Sequence, residues 1–228
     1  MGVVPVESSV AGSFHEVYHR LAESDLSIAA ELIVRMRRAV IAHPDMTLER
    51  IRTVASHPFA LEQCGRFFAA HPDWQPIAHY DPAGAVQALM AGQHPADAVV
   101  ATRFAAEEHH ASVLAEGLED ERASFTRCIV LTREPPPARS GWTKTSLIFT
   151  LANQPGTLLE ALTAFARRGV NMSKIESRPI LGRPWEDRFY ADILTPDATV
   201  LREALEDLVP RVRSMRVLGT YPPARTPL

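Results

Sequence analysis

Residues 144–194 read "KTSLIFTLANQPGTLLEALTAFARRGVNMSKIESRPILGRPWEDRFYADIL", and two hydrophobic periods alternate along them. "KTSLIFTLA" is a β-branched and aromatic run that predicts a strand. "PGTLLEALTAFARRG" then brings Leu158, Leu159, Leu162 and Phe165 to one face at helical spacing. Arg167 and Arg168 suit the carbonyl end of that helix, and Gly169 stops it. "VNMSKIESRPI" and "DRFYADIL" return to strand, the second with Phe189, Ala191 and Ile193 on one side. Downstream, "DATVLREALEDLV" predicts a helix capped by Asp197 with Leu201, Ala204, Leu205 and Leu208 as its stripe, and "SMRVLGTY" a last strand. The order βαββαβ is the ferredoxin-like arrangement, an antiparallel sheet with two helices on one face.

Upstream of this half, "REPPPARSGWTK" at 133–144 interrupts the pattern with three prolines and a Ser-Gly pair, and a domain boundary belongs there. Before it, "GVVPV", "QPIAHY" and "DAVVA" each precede a helix-like segment, which predicts an α/β domain with largely parallel strands. In "AELIVRMRRAVIA", Leu32, Val34 and Met36 alternate with Glu31, Arg35 and Arg37 as in a half-buried strand, the favoured reading, while the absence of Gly and Pro also permits a helix. The expected organisation is residues 1–132, a linker at 133–143 and a second domain at 144–223.

Composition narrows the function. The 228 residues carry a net charge of -3 with interspersed signs and 46% apolar content, a real core with no extended basic surface for nucleic acid. No apolar run is long enough to span a bilayer, and the opening valines lack the flanks of a signal peptide. Cys64 and Cys128 read as core thiols in a cytoplasmic protein.

The strand-to-helix junctions are where an α/β sheet binds ligands. Glu7, Ser8 and Ser9 follow the first strand, and Ser13 with Glu16 spells a capping box for the next helix. Ser56 or His57 can cap a helix opened by Pro58, with Gln63 one to two turns inside. Asp81 caps a helix opened by Pro82, and Thr102 caps another. Each is an ordinary cap as well as a possible anion contact. "HEVYH", His15 to His19, matches a zinc-peptidase spacing, but Glu16 already has a capping role and no third-ligand motif follows, so no metal is expected.

With these motifs in hand, the chain resembles prephenate dehydratase with a C-terminal ACT regulatory domain. "GVVPVESSVAGS", "SHPFALEQC", "HYDPAGAV", "LAEGLEDERASFTRCIVL" and "NQPGTLLEAL...NMSKIESRPILGRPWED" occur in the family's order and spacing, "KIESRP...GRPWE" being the most specific block. The resemblance implies a two-lobed, periplasmic-binding-protein-like catalytic domain at 1–132 followed by the βαββαβ ACT domain. It implies a carbon-oxygen lyase, without cofactor, that converts prephenate to phenylpyruvate, carbon dioxide and water. By the same resemblance, Thr126 of the T-R-F-like motif is expected to carry the catalytic step with Glu7, Ser56 and Gln63, while Ser8, Ser9, His57 and Arg127 are expected to bind substrate. Phenylalanine is implied as effector at an interface between paired ACT domains. Asn153, Gly156, Thr157 and Leu158 meet it from the loop, and Glu176, Ser177, Arg178 and Pro179 from the strand. A homodimer or homotetramer through the ACT domains follows from the same resemblance.

The departures fall near the expected pocket. The family's E-N-S reads Glu7-Ser8-Ser9, the HPQ glutamine is Phe59, the D-T-A-G threonine is Pro82, and T-R-F reads Thr126-Arg127-Cys128. Family members carry a first segment with a "GP.GTFS"-like loop before the strand at Val3 to Val6, and this sequence starts without it. Either the sequence is a fragment or begins at a misplaced start, or it is a short form whose first lobe is incomplete, which would expose strand edges and apolar surface. Two alternatives stay beside the enzyme: a truncated, catalytically inactive phenylalanine-binding homologue, and arogenate in place of prephenate as substrate.

Overall fold

The structure, a computed structural model, describes residues 1–135, 143–195 and 198–225. Asp197 and most of the expected linker at 133–143 lie outside the described residues. The chain divides into two compact units, Met1–Val34 with Thr126–Leu228, and Arg35–Phe125. The first opens with β1 (Gly2–Ser8), β2 (Gly12–Ser13), α1 (His15–Glu23) and β3 (Ser27–Arg35). The second comprises β4 (Ala39–Ala42), β5 (Thr53–Ser56), α2 (Pro58–Glu62), α3 (Gly65–Ala69), β6 (Gln75–Ala78), α4 (Pro82–Met90), β7 (Ala98–Ala101), α5 (Arg103–Glu108) and β8 (Ser112–Glu116). The chain returns to the first unit with β9 (Phe125–Thr132). It ends with β10 (Thr143–Thr150), α6 (Thr157–Ala166), β11 (Asn171–Ile180), β12 (Arg183–Thr195), α7 (Ala198–Leu208) and β13 (Ser214–Tyr221).

The first unit holds two sheets, β2-β1-β9-β3 and β11-β12-β10-β13. The second is the βαββαβ sheet expected from the sequence, with α6 and α7 on one face over Leu147, Phe149, Ala191 and Ile193. On α6, Ala161, Ala164 and Phe165 are buried while Leu158 and Leu159 are exposed, so the expected leucine stripe is corrected. Small side chains let the helix approach the sheet closely, which turns its first two leucines outward. The other face of this sheet packs Ile148, Tyr190, Leu218 and Tyr221 against Val6, Ile129 and Ile28 of the first sheet and Tyr18 and Leu21 of α1.

In the second unit β6, β5 and β7 run parallel, but β4 is antiparallel to both β7 and β8, so only part of the sheet has the expected parallel character. Its strands β4 and β7 are buried along their whole length, which explains their continuous apolar composition. The stretch expected to be one strand from Ala30 to Ala42 is two strands in two sheets, β3 and β4. Its alternation is also inverted. Glu31 is buried, whereas Leu32 and Val34 are exposed.

The capping box does not form: Phe14 occupies the N-cap of α1, Glu16 pairs with Arg20 at 2.8 Å, and Ser13 turns to Glu176. His57 and Asp81 do cap their helices, accepting from Phe59 N at 3.2 Å and Gly84 N at 3.0 Å, while Thr102 holds the N-cap position of α5 without a side-chain bond. Gln63 ends α2 as its C-cap and does not lie inside the helix.

Gly219 of β13 marks a close approach between the two sheets of the first unit: a Cβ there would overlap the backbone carbonyl of Ile28. Backbone on both sides leaves nothing to yield. Gly219→Ala is expected to destabilise the chain by about 1–3 kcal/mol, read as a fall in the denaturant midpoint at unchanged slope.

Candidate active site

The candidate residues fall on both units, and each unit builds its share independently. In the first, β1 and β9 pair antiparallel with Glu7 opposite Arg127 and Ser8 opposite Thr126. Residues far apart in sequence are thus set side by side on adjacent strands. β1 bulges between Pro5 and Glu7, the kind of irregularity that re-aims a side chain at a strand end. Beyond it, the buried Ser8 hydroxyl accepts from Val10 N at 3.2 Å and Ala11 N at 3.3 Å, fixing the turn that carries Ser9.

Arg127 anchors a network of charges with little access to water. Its Nε donates to Glu31 at 2.7 Å, its Nη1 to Asp192 at 2.5 Å and to Glu7 at 3.4 Å, and its Nη2 to the Tyr221 hydroxyl at 3.1 Å. Lys144 holds the other side of Glu31 at 2.7 and 2.9 Å. Ser146 joins Asp192 to Tyr221. Burial alone pulls the guanidinium towards neutrality, but Asp192, Tyr221 and Glu31 outweigh it and raise its pKa. All three guanidinium nitrogens are therefore committed within the protein, so Arg127 orients Glu7 and the strand bearing Thr126.

Lys174 extends the network, lying 3.3 Å from Glu7, 3.1 Å from Glu176 and 2.7 Å from Ser13 Oγ, with its ammonium 5.2 Å from the centre of the Tyr18 ring. Glu176 also takes Arg178 Nε at 2.7 Å and lies 3.3 Å from His15 Nδ1. Burial raises the Glu176 carboxyl, yet its bonds to Ser13 and Lys174 win and hold it below the ordinary carboxylate value. The two histidines of the H-E-x-x-H match are thus drawn to carboxylates, His15 to Glu176 and His19 to Glu23 at 3.4 Å.

The effector candidates divide between the faces of the ACT sheet. Gly156 has φ 87° at the N-cap of α6, a left-handed conformation that favours glycine. Asn153, Gly156, Thr157 and Leu158 line a cavity of about 310 Å³ that Trp185 and Phe189 also border. Glu176 and Arg178 instead meet Ser13 and His15 on the face opposite the helices, while Ser177 and Pro179 are exposed on β11, an edge strand of its sheet.

In the second unit, Ser56 ends β5 fully buried, its hydroxyl donating to Val100 O at 2.5 Å. His57 follows as the cap of α2, its ring edge-on to Tyr80 with centroids 5.6 Å apart. Gln63 Oε1 accepts from Arg38 Nη2 at 3.5 Å, and its carbonyl accepts from Asp120 N at 2.7 Å. The Cys64 thiol is pushed up to about 12 by burial and is inert as a nucleophile. Sequence reasoning passed over Glu31, Asp192, Lys144, Lys174 and Arg38. Glu31 looked like the solvent side of an alternating strand, and no motif singled out Arg38.

Two expectations follow. Glu31→Ala leaves two buried cations without their shared carboxylate, and a loss of about 3–5 kcal/mol is expected in chemical denaturation. Because Glu176 has a lowered folded value, its contribution is complete above the ordinary carboxylate range and is lost as pH falls through that folded value. Glu176→Gln should therefore flatten the acid limb of stability against pH below about 4.3.

The prephenate dehydratase family profile matches residues 1–136 and that of the ACT domain residues 145–209. The bifunctional chorismate mutase/prephenate dehydratase of Enterobacter agglomerans is 34% identical over 96% of this chain. The chain spans 57% of that relative's length. A crystal structure of prephenate dehydratase from Arthrobacter aurescens in complex with L-Phe superposes with a TM-score of 0.88 at 30% identity, covering 99% of this chain and 76% of that one. A structure described as GqqA, a novel type of quorum quenching acylase, gives 0.82 at 30% identity, covering 96% and 81%. With well over half of its length matched by the one profile and the βαββαβ half by the other, the chain belongs to the prephenate dehydratase family and carries an ACT domain.

Proposed function

We propose that the chain is a prephenate dehydratase regulated by phenylalanine through its ACT domain. The observation that carries the reading is the register of β1 and β9, which sets Glu7 against Arg127 and Ser8 against Thr126. A likeness of fold does not choose a reaction, since one superposing structure is described as an acylase. The choice rests on the retained Glu7, Ser56, Gln63 and Thr126.

In the proposed reaction the bond from the ring to its carboxylate breaks, and the electron pair moves into the ring. The ring carbon-oxygen bond breaks as the departing hydroxyl takes a proton, giving carbon dioxide, water and phenylpyruvate. Thr126 delivers that proton and recovers one from solvent, so the reaction takes up one proton overall. A hydroxyl is a weak acid, and the Glu7 and Arg127 charges on the paired strands set the field in which it works. Ser8 and Ser9 beside Thr126, and Ser56, His57 and Gln63 at the carboxyl end of β5, are the polar groups that orient substrate. The catalytic domain takes residues 1–132 and the ACT domain 144–223.

Regulation is supported by the cavity at the start of α6, whose Asn153, Gly156 and Thr157 offer polar groups and whose Leu158, Trp185 and Phe189 offer an apolar wall. Trp185 is 89% exposed and Leu159 70%, apolar surface that a second copy pairing along β11 would cover. The assembly proposed is a homodimer or homotetramer through the ACT domains, with phenylalanine at their interface.

The test is phenylpyruvate formation from prephenate by the 228-residue chain with and without phenylalanine. Turnover lowered by phenylalanine is expected, and Thr126→Val should reduce kcat by roughly 10²- to 10⁴-fold. Absence of turnover while phenylalanine still raises the melting temperature would reject the enzyme and leave a phenylalanine-binding homologue.

A further inference from the structure

Four buried side-chain atoms of the second unit, Arg35 Nε, Arg38 Nε, Gln63 Nε2 and Ser124 Oγ, have no hydrogen-bond partner among the described residues, and Arg38 and Gln63 adjoin each other. Arg38 is 9% exposed. Its backbone is satisfied: N donates to Glu119 Oε2 at 2.9 Å, and O accepts from Gly117 N at 2.9 Å. Its guanidinium has only the long bond to Gln63 Oε1 at 3.5 Å, and no ion pair involves it among the described residues. The carboxylate of Glu119 is engaged with the backbone of Arg38, so it does not neutralise the side chain by direct contact. Burial pulls the Arg38 pKa below the ordinary arginine value, with Cys64 and Glu119 opposing weakly. A buried cation left in this condition costs stability, and native proteins keep such groups where a ligand completes them.

Its position agrees. Arg38 immediately precedes β4, where Ala39 lies opposite Ala101 at the end of β7. β5 runs parallel to β7 with Ala55 level with Val99. The amino end of β4 therefore shares one sheet edge with the carboxyl ends of β5 and β7, the edge of Ser56, His57 and Thr102. Ligands of α/β sheets bind at that edge.

We propose that Arg38, with the side-chain amide of Gln63, is the subsite for a substrate carboxylate, and specifically for the one on prephenate's side chain; this rests on the dehydratase reading. Prephenate has two carboxylates, and the ring carboxylate loses its charge as it leaves as carbon dioxide. A guanidinium on that group would stabilise the ground state and oppose the reaction. The side-chain carboxylate keeps its charge throughout, so a cation there binds substrate and transition state alike. Phenylpyruvate retains this group and is a stable probe for it.

The experiment compares the wild-type chain with Arg38→Met by prephenate kinetics and by thermal unfolding with and without phenylpyruvate. In Arg38→Met, KM is expected to rise on the order of 10²-fold with kcat changed less than about tenfold, and the phenylpyruvate-induced rise in melting temperature to disappear. The ligand-free melting temperature should not fall, because an unpaired buried charge has been replaced by an apolar chain of similar length. Arg38→Gln serves the same measurements if the methionine variant does not fold. An unchanged KM together with a preserved phenylpyruvate shift overturns the subsite alone. Arg38-dependent phenylpyruvate binding in a wild-type chain that does not turn over prephenate supports the subsite and overturns the dehydratase reading.

Discussion

A guanidinium that has left water must be met by charge and hydrogen bonds, and in the first unit that demand falls on Arg127. Its side chain is 12% exposed and lies between the two sheets of that unit. Glu31 arrives from β3, Asp192 from β12, Tyr221 from β13 and Glu7 from β1, so a single side chain ties together four strands of two sheets. Around it Arg127, Lys144, Lys174 and Arg178 face Glu7, Glu31, Asp192 and Glu176, a balance of signs that keeps any one of them from being stranded. The apolar contacts of Val6, Tyr18 and Tyr190 supply attraction without direction, whereas the network requires one relative placement of the two sheets.

That constraint also separates what could be read in the sequence from what could not. The ACT half is legible because its elements obey local rules: alternating strands, a glycine with left-handed backbone at the start of α6, and Ala204 and Leu208 inward on α7. Glu31 is illegible by the same rules. Its charge is buried through partners on β9 and β10, which no window around β3 contains. Ser13 and Glu16 show the same effect, since a capping box predicted from spacing gives way when Ser13 finds Glu176 on a distant strand. Leucines 158 and 159 look like core by composition, yet the buried positions are Ala161, Ala164 and Phe165, and small side chains suit such a face only once a sheet lies beneath.

The candidate site divides in a similar way. Motif resemblance located Glu7, Thr126, Ser56 and Gln63, and the backbone places them at strand ends and at the end of a short helix, where loops leave the sheets. Resemblance gave Arg127 to substrate binding. Only the geometry shows that its nitrogens are taken by Glu31, Asp192, Glu7 and Tyr221. Arg38 is the reverse case: in "RMRR" it resembles its exposed neighbour Arg37, and burial without a counter-charge sets it apart.

Lys174 gives the network a consequence for regulation. One ammonium lies 3.3 Å from Glu7 on the strand paired to Thr126, and 3.1 Å from Glu176 on the strand expected to meet phenylalanine. The two carboxylates compete for it, with Arg178 and Ser13 supporting Glu176 and Arg127 supporting Glu7. An effector whose amine engaged Glu176 would weaken that claim on Lys174 and strengthen its hold on Glu7. A stronger hold draws the Glu7 carboxylate towards Lys174 and alters the field beside Thr126, without any strand having to slide. A group bound at β11 and the polar residues of β1 and β9 would then be coupled through one shared ammonium, and by linkage the state of Glu7 would act back on that binding by the same factor.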